Sequence, residues 1–436
     1  MNPLYTLYAT LTSAIFVSCS VPFWVYTRLS GRYQKGLKER LGFLPPTVTR
    51  GLRGSPRVWI HAASLGEIKV AGSLIRDLEE FIPGCEIILS TATDHGHALA
   101  AETFRGVNVL YAPIDLFFSV RKALMGARPD VMVFLETEIW PAWLFEAHRM
   151  GIRIALINGR ISPRSFRRYR KLRPFFREVL RCVDVFSMIS PEDAKRIGVM
   201  GAELQKTVIN GNAKYDSLAG HADPALETRT SETLNLQPFQ KVFVAGSTRA
   251  GEEAMILDAY ERILKQFPEM ILVLAPRHIV RTPAIEALLR RRGFRYQLRT
   301  DLDGRRVTRT APVVIMNTFG ELFGLYSVGT INFCGGSLVA LGGQNPLEAA
   351  VWGKVVFYGP SMEDFLDAKA LLEKEGAGIE VSGPEPFAEK AMWLLNHPDE
   401  AERLGGRARE AVMRNQGAAR RHARVIADLL LGNSPL

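Results

Sequence analysis

Val58-Trp59-Ile60-His61-Ala62-Ala63-Ser64-Leu65-Gly66-Glu67 decides the fold. Three bulky apolar residues in succession suit a strand covered on both faces. Ser64 with Glu67 three positions on marks the start of a helix. A buried strand running straight into a helix is the first half of a βα unit. Apolar runs of the same kind fall at 57–63, 86–92, 107–112, 130–135, 152–158 and 183–189. Each is followed by apolar residues at three-to-four spacing, as from Trp140 to Met150. A second series has runs at 241–246, 271–275, 313–317, 330–334 and 354–358, with helix-like stretches such as Glu252 to Gln266 between them. Segment 219–240 loses the pattern, and the last forty residues read as helical and Arg-rich. The expected fold is α/β, with two doubly wound, Rossmann-like domains facing a cleft at the carboxyl ends of their sheets. The expected boundaries are an N-terminal anchor at 1–30, a first domain at 31–220, a linker at 221–240, a second domain at 241–400 and a C-terminal helix at 401–436.

Composition narrows the function. Of 436 residues, 47% are hydrophobic and 23% charged, which excludes a disordered chain, a coiled coil and a polytopic membrane protein. A formal net charge of +10 favours an anionic partner. Cys19, Cys85, Cys182 and Cys334 show no zinc-like or CxxC spacing, so a reducing compartment fits better than a disulfide framework. Residues 1–27 carry no charged side chain. Leu4 to Thr27 would span roughly 36 Å as a helix, enough to cross a ~30 Å hydrocarbon core. Arg28, Arg32, Lys35, Lys38 and Arg40 follow against the single acid Glu39, the flank expected on a cytoplasmic side. A cleaved signal peptide fits less well, because the start lacks positive charge and no small-x-small site follows. Seven Ser/Thr residues and Pro22 keep a buried core helix in view. The expectation is a membrane anchor, spanning or monotopic.

Four groups of residues carry chemistry. Glu67 lies in a strand-to-helix loop, where a carboxylate serves either in a capping box with Ser64 or as a general base. Glu136-Thr137-Glu138-Ile139-Trp140-Pro141 ends the apolar run Val131 to Leu135, where acids suit an open sheet edge or a helix start better than the core. Arg160, Arg164, Arg167, Arg168, Arg170, Lys171 and Arg173 interleave with Phe166, Tyr169, Leu172, Phe175 and Phe176. That pattern suits anionic lipid headgroups, with a solvated face and RNA contact as competing readings. In the second half, Gly246-Ser247-Thr248-Arg249, Ala275-Pro276-Arg277-His278, Asn317-Thr318-Phe319-Gly320-Glu321 and Gly335-Gly336-Ser337 end successive strands. Leu341-Gly342-Gly343-Gln344-Asn345-Pro346-Leu347-Glu348 then opens a helix. Gly, Arg and Glu at successive strand ends describe a nucleotide site, with phosphate near a helix N-terminus and Glu348 accepting from ribose hydroxyls. Neither GxGxxG nor GxxxxGK[ST] is present, which counts against a dinucleotide enzyme or an ATPase. Asp301 and Asp303 form a DxD pair, but in a turn among Arg299, Arg305 and Arg306. Asp94, His95 and His97 read as a capped helix start after Thr93, and Cys334 as core. No metal or other cofactor is expected.

These motifs, in this order over nearly the whole chain, resemble the Kdo (3-deoxy-D-manno-octulosonic acid) transferases. The resemblance rests on Ser64-Leu65-Gly66-Glu67, Glu136 to Pro141, Asn158-Gly159-Arg160-Ile161-Ser162, Gly246-Ser247-Thr248, Pro276-Arg277-His278, Gly335-Gly336-Ser337 and Asn345-Pro346-Leu347-Glu348. It implies a GT-B glycosyltransferase with CMP-Kdo as donor and a lipid A precursor, lipid IVA, as acceptor. The setting it implies is the cytoplasmic face of the inner membrane, during lipopolysaccharide synthesis. It implies that Glu67 is the catalytic base, and that Glu138 and Lys214 of Gly211-Asn212-Ala213-Lys214 assist the transition state. The CMP site it implies comprises Pro276, Arg277, Phe319, Gly320, Glu321, Asn345, Pro346, Leu347 and Glu348. Position 319 is Phe where many members carry Met. Single displacement by an acceptor hydroxyl then gives inversion, with fixed cationic groups in place of a metal. The partners expected are the donor, the acceptor and the anionic inner-membrane surface, without nucleic acid. Two alternatives stand beside this reading: a sugar transferase or sugar-nucleotide epimerase using a UDP-sugar, and a membrane-anchored nucleic-acid binder.

Overall fold

The computed structural model describes residues 3–30, 35–51, 54–136, 138–219, 222–302 and 308–433. Arg32, Thr137, Asp303, Arg305 and Arg306, singled out above, lie outside the described residues. The chain divides into two compact units, residues 1–217 with 416–436, and residues 218–415.

The first unit is built on β1 (Arg57–His61), β2 (Glu86–Thr91), β3 (Asn108–Tyr111), β4 (Val131–Leu135), β5 (Arg153–Gly159), β6 (Val185–Met188) and β7 (Thr207–Ile209). All pair in parallel, in the order β3-β2-β1-β4-β5-β6-β7, so the winding direction reverses between β1 and β4. Successive side chains of a strand point to opposite faces. Val58 and Ile60 accordingly join one buried cluster with Val131, Val133 and Leu135, while Trp59 joins the other with Met132 and Phe134. Both faces are covered, which explains why these strands read as unbroken apolar runs. The helix Leu65–Phe81 covers one face, and the final helix Ala418–Leu431 packs on it through the small residues Ala418, Ala419 and Ala423. The Arg-rich end of the chain thus forms two helices, Pro398–Arg414 in the second unit and Ala418–Leu431 in the first.

At the amino end, a helix runs from Pro3 to Ser30. Its stretch Pro3–Pro22 is long and apolar enough to cross a membrane. One side is docked on the first unit: Tyr5 stacks on Phe145 with centroids 4.3 Å apart and donates to Glu146 Oε1 at 2.7 Å. Tyr8 donates to Asp115 Oδ2 at 2.6 Å. Leu7, Leu11, Ile15 and Val21 are exposed along the rest of the helix.

In the second unit the strands are β8 (Val242–Thr248), β9 (Ile271–Pro276), β10 (Tyr296–Leu298), β11 (Val313–Ile315), β12 (Ile331–Cys334), β13 (Val356–Tyr358) and β14 (Gly378–Glu380). They are again all parallel, ordered β10-β11-β9-β8-β12-β13-β14, with the reversal between β8 and β12. Segment 221–240, expected as a linker, contains the helix Pro224–Thr233, capped by Asp223, which packs on the helix Leu322–Val328. A Cβ added at Gly324 would lie 2.8 Å from Thr230 Oγ1, so only glycine allows that approach. This helix shows no apolar periodicity in the sequence because it buries no residue fully.

Candidate functional site

Where a parallel sheet reverses its winding, two loops diverge and leave a crevice at the carboxyl edge of the strands. In the first unit those loops follow β1 and β4, and they carry Glu67 and the pair Glu136 and Glu138. Ser64 is the N-cap of the helix that Glu67 opens, with its Oγ accepting the Glu67 amide at 3.3 Å. Glu67 returns the bond: Oε1 accepts from Ser64 Oγ at 2.9 Å, and Oε2 accepts from the Ala63 amide at 2.7 Å. The capping box therefore forms, and it fixes the carboxyl rather than competing with a chemical role. Glu67 is buried, at 5% exposure. Burial pushes its pKa up to about 7, and the charges of Glu136 and Glu138 push the same way, against the Ala63 amide and the Ser64 hydroxyl. A carboxyl tuned near neutrality is a far better proton acceptor than an ordinary one.

Glu138 is also held above the usual carboxylate range by burial, opposed by its bond from the Trp140 indole at 2.5 Å. Lys214 Nζ lies 2.5 Å from Glu136 Oε1. A Cβ at Gly66 would stand 3.8 Å from Lys214 Cε, so the lysine passes beside the turn that carries Glu67. The structure thus brings Glu67, Glu138 and Lys214 together and adds Glu136. Glu136 sits at φ 56 and Asn158 at φ 54, the left-handed region that non-glycine residues avoid. Asn158 falls where the β5–β6 register shifts, and its Oδ1 accepts the Ala213 amide at 2.9 Å. That bond fixes the residue just before Lys214.

His61 closes the floor of this crevice. Burial pushes its pKa down to about 4, so the ring is neutral at physiological pH. Ser90 Oγ accepts from the Trp59 indole at 2.9 Å and lies 3.0 Å from His61 Nδ1. His61 Nε2 is 3.8 Å from Glu138 Oε2.

At the second unit's reversal point, Glu252 is fully buried. Its carboxylate accepts the amides of Arg249, Gly336, Ser337 and Leu338 at 2.7–2.9 Å, fastening the loop after β8 to the loop after β12. Ser247, at φ 54, occupies the β8–β9 register shift. Pro276 ends β9, and Arg277 is exposed, its amide bound to Thr248 O at 3.0 Å. Phe319 is 77% exposed and Gly320 takes φ 86. Glu321 accepts from Arg299 at 2.7 Å and from Thr318 at 2.5 Å. Asn345 Oδ1 accepts the Leu347 amide at 3.1 Å. Pro346 and Leu347 are buried, and Glu348 is half-buried; burial raises the pKa values of Tyr326 and Cys334, and the nearby Glu348 charge adds to both shifts. The Trp352 indole donates to Phe323 O at 2.9 Å, tying the Glu321 and Glu348 segments together.

Two expectations change here. The helix after Asn345 is a single turn, Leu347–Ala350, so it offers amides but little macrodipole for a phosphate. Gly246 and Gly335 make room for the protein itself: a Cβ at Gly246 would meet Tyr326 Oη at 2.1 Å, and one at Gly335 would meet Ser247 O at 2.6 Å. Elsewhere, Asp94 opens a helix capped by Thr93, and His97 stacks on Tyr111. Asp301 accepts the Leu298 amide at 3.0 Å. Among the described residues, no three His, Cys, Asp or Glu side chains are grouped to hold a metal ion. In the basic segment, Arg164, Arg167, Arg168, Arg170, Lys171 and Arg173 are exposed, while Phe166, Tyr169, Phe175 and Phe176 pack against the core.

Residues 35–217 match the family model described as 3-deoxy-D-manno-octulosonic-acid transferase (kdotransferase). A bifunctional glycosyltransferase/methyltransferase of Fusobacterium nucleatum is 33% identical over 358 residues, 81% of this chain; the chain spans 55% of that protein's length. A 3-deoxy-D-manno-octulosonic acid transferase of Haemophilus influenzae is 31% identical over 409 residues, 92% of each chain. Among solved structures, the UDP-GlcNAc 2-epimerase of Neisseria meningitidis superposes with a TM-score of 0.62 at 14% identity, covering 86% of this chain and 100% of that one. That likeness concerns the fold.

Proposed function

The chain belongs to the Kdo transferase family, and from that premise we propose that it moves Kdo from CMP-Kdo onto a glucosamine hydroxyl of a lipid A precursor, lipid IVA, in lipopolysaccharide synthesis. The reaction inverts the anomeric centre and uses no metal ion. The observation that carries this reading is the buried Glu67 carboxyl, with its pKa near 7, beside Glu136, Glu138 and Lys214.

In this mechanism Glu67 takes the proton of the acceptor hydroxyl as its oxygen attacks the anomeric carbon of Kdo. The bond from that carbon to the CMP phosphate breaks from the opposite side, and CMP leaves with the electron pair. Positive charge builds on the sugar and negative charge on the phosphate. Lys214 and Glu138 stabilise the reacting centre, and Arg277 holds the phosphate. Pro276, Phe319, Gly320, Glu321 and Asn345 to Glu348 form the rest of the CMP site. The helix Pro3–Ser30 anchors the protein to the inner membrane with both units on the cytoplasmic side. The exposed basic face from Arg164 to Arg173 meets the anionic headgroups where the acceptor resides.

Incubating the purified protein with CMP-Kdo and a tetraacylated lipid A precursor, then weighing the products, tests this reading. A mass increase of whole Kdo residues supports it. No product with CMP-Kdo, or transfer from a UDP-sugar instead, contradicts it.

A further inference from the structure

At the carboxyl edge of the second sheet, the loops after β8 and β9 bring two basic side chains into contact. Arg249 Nη1 lies 2.6 Å from His278 Nε2. A guanidinium only donates, so Nε2 accepts and the imidazole proton resides on Nδ1. The arginine backbone is fixed, because its amide and that of Gly336 bind the same Glu252 oxygen at 2.8 and 2.7 Å. Its side chain reaches across the reversal point: a Cβ on Gly336 would stand 3.7 Å from Arg249 Cγ. Among the described residues, neither Arg249 nor Arg277 is in an ion pair with a carboxylate, and Arg249 Nε is buried without a hydrogen-bond partner. The arginines around them are committed: Arg281 to Glu253 at 2.8 Å and Arg299 to Glu321 at 2.7 Å. The charge of Glu252 is itself satisfied by four backbone amides. An arginine oriented by a histidine and not spent on a carboxylate can grip an anion through its terminal nitrogens.

We infer that Arg249 is the receptor for the carboxylate of the donor sugar, with His278 as the residue that positions its guanidinium. This inference rests on the CMP-Kdo reading above, since the donor then carries two anions, a phosphate and a carboxylate. Arg277, one strand over, serves the phosphate. A carboxylate bound in the Arg249 fork fixes the sugar about the bond that breaks, and it distinguishes a ulosonic donor from a neutral sugar nucleotide.

Steady-state kinetics of the full chain test the assignment by comparing the KM for CMP-Kdo with the inhibition constant of CMP, which lacks the carboxylate. R249A is expected to raise the KM about 10- to 100-fold while moving the CMP constant less than about 3-fold. The unchanged CMP constant also reports a folded nucleotide site. H278A should show the same split more weakly, and H278Q, whose amide oxygen can accept from the arginine, should restore most of the loss. An equal rise in both constants would assign Arg249 to the phosphate and overturn the inference, as would an unchanged KM in R249A. Wild-type protein that fails to transfer Kdo would contradict the functional reading itself. Transfer by the wild type with no split in R249A would contradict this inference alone.

Discussion

Ser64 and Glu67 are bonded to each other twice: the Ser64 Oγ accepts the Glu67 amide at 3.3 Å and donates to the Glu67 carboxyl at 2.9 Å. The same two bonds start a helix and aim a carboxyl. In the proposed mechanism, helix capping and proton abstraction share this one geometry, and disturbing it shifts both.

Ser64→Ala removes the hydroxyl that holds the Glu67 pKa down. The acidic limb of the pH–rate profile should move to higher pH, since more of the base stays protonated at any given pH. Loss of the cap should cost about 1 kcal/mol of stability. A pH profile of kcat/KM together with thermal unfolding measures both effects.

Glu67→Gln should make the fold more robust at alkaline pH. The folded-state pKa of Glu67, about 7, lies above the ordinary 4.5. An unfolded chain therefore ionises this carboxyl before the folded one does, and stability is lost as pH rises from about 4.5 to about 7. The full penalty is about 3 kcal/mol above that range and absent below it. Glutamine keeps the capping box without the charge. The Tm of the variant, compared with wild type at pH 4.5 and pH 8, should be similar at the first and higher at the second.

The 2.5 Å pair between Lys214 and Glu136 is partly shielded from water, with side chains 30% and 15% exposed. Lys214→Met leaves the Glu136 charge facing Glu67 without its counter-charge. It should destabilise the first unit by roughly 1–3 kcal/mol and raise the Glu67 pKa further. Lys214→Met with Glu136→Gln should recover most of that stability without recovering transfer. Thermal unfolding and transfer assays on both variants separate the two effects.

Charge reversal at Arg164, Arg167 and Arg168 should weaken binding to anionic vesicles at physiological salt, without changing CMP affinity. All three are exposed, and the aromatic residues between them pack inward. Vesicle flotation of the full chain reads the first, and CMP inhibition the second.

How much of this was legible in the sequence follows from what each residue packs against. Val131 to Leu135 is buried throughout, and such runs declare themselves. β7, β10 and β14 are three-residue edge strands with no buried residue, so no apolar run announces them. Each joins the sheet by pairing with the strand beside it in chain order, β6, β11 and β13. Glu67 and Glu138 were visible as acids at strand ends. The Glu136–Lys214 pair was not, because 78 positions separate its members, and the positive φ of Glu136 has no glycine to signal it. The return of the last helix to the first unit rests on alanines that suit any helix interface. Arg249 and His278 each follow an apolar run in the sequence, but their contact depends on β8 and β9 being adjacent in the sheet.

Single-turnover transfer by Glu67→Gln, with CMP inhibition measured on the same preparation, tests the central claim most directly. The account predicts a rate lowered by about 10²- to 10⁴-fold with the CMP constant unchanged. Transfer within a few-fold of wild type would show that another group takes the acceptor proton.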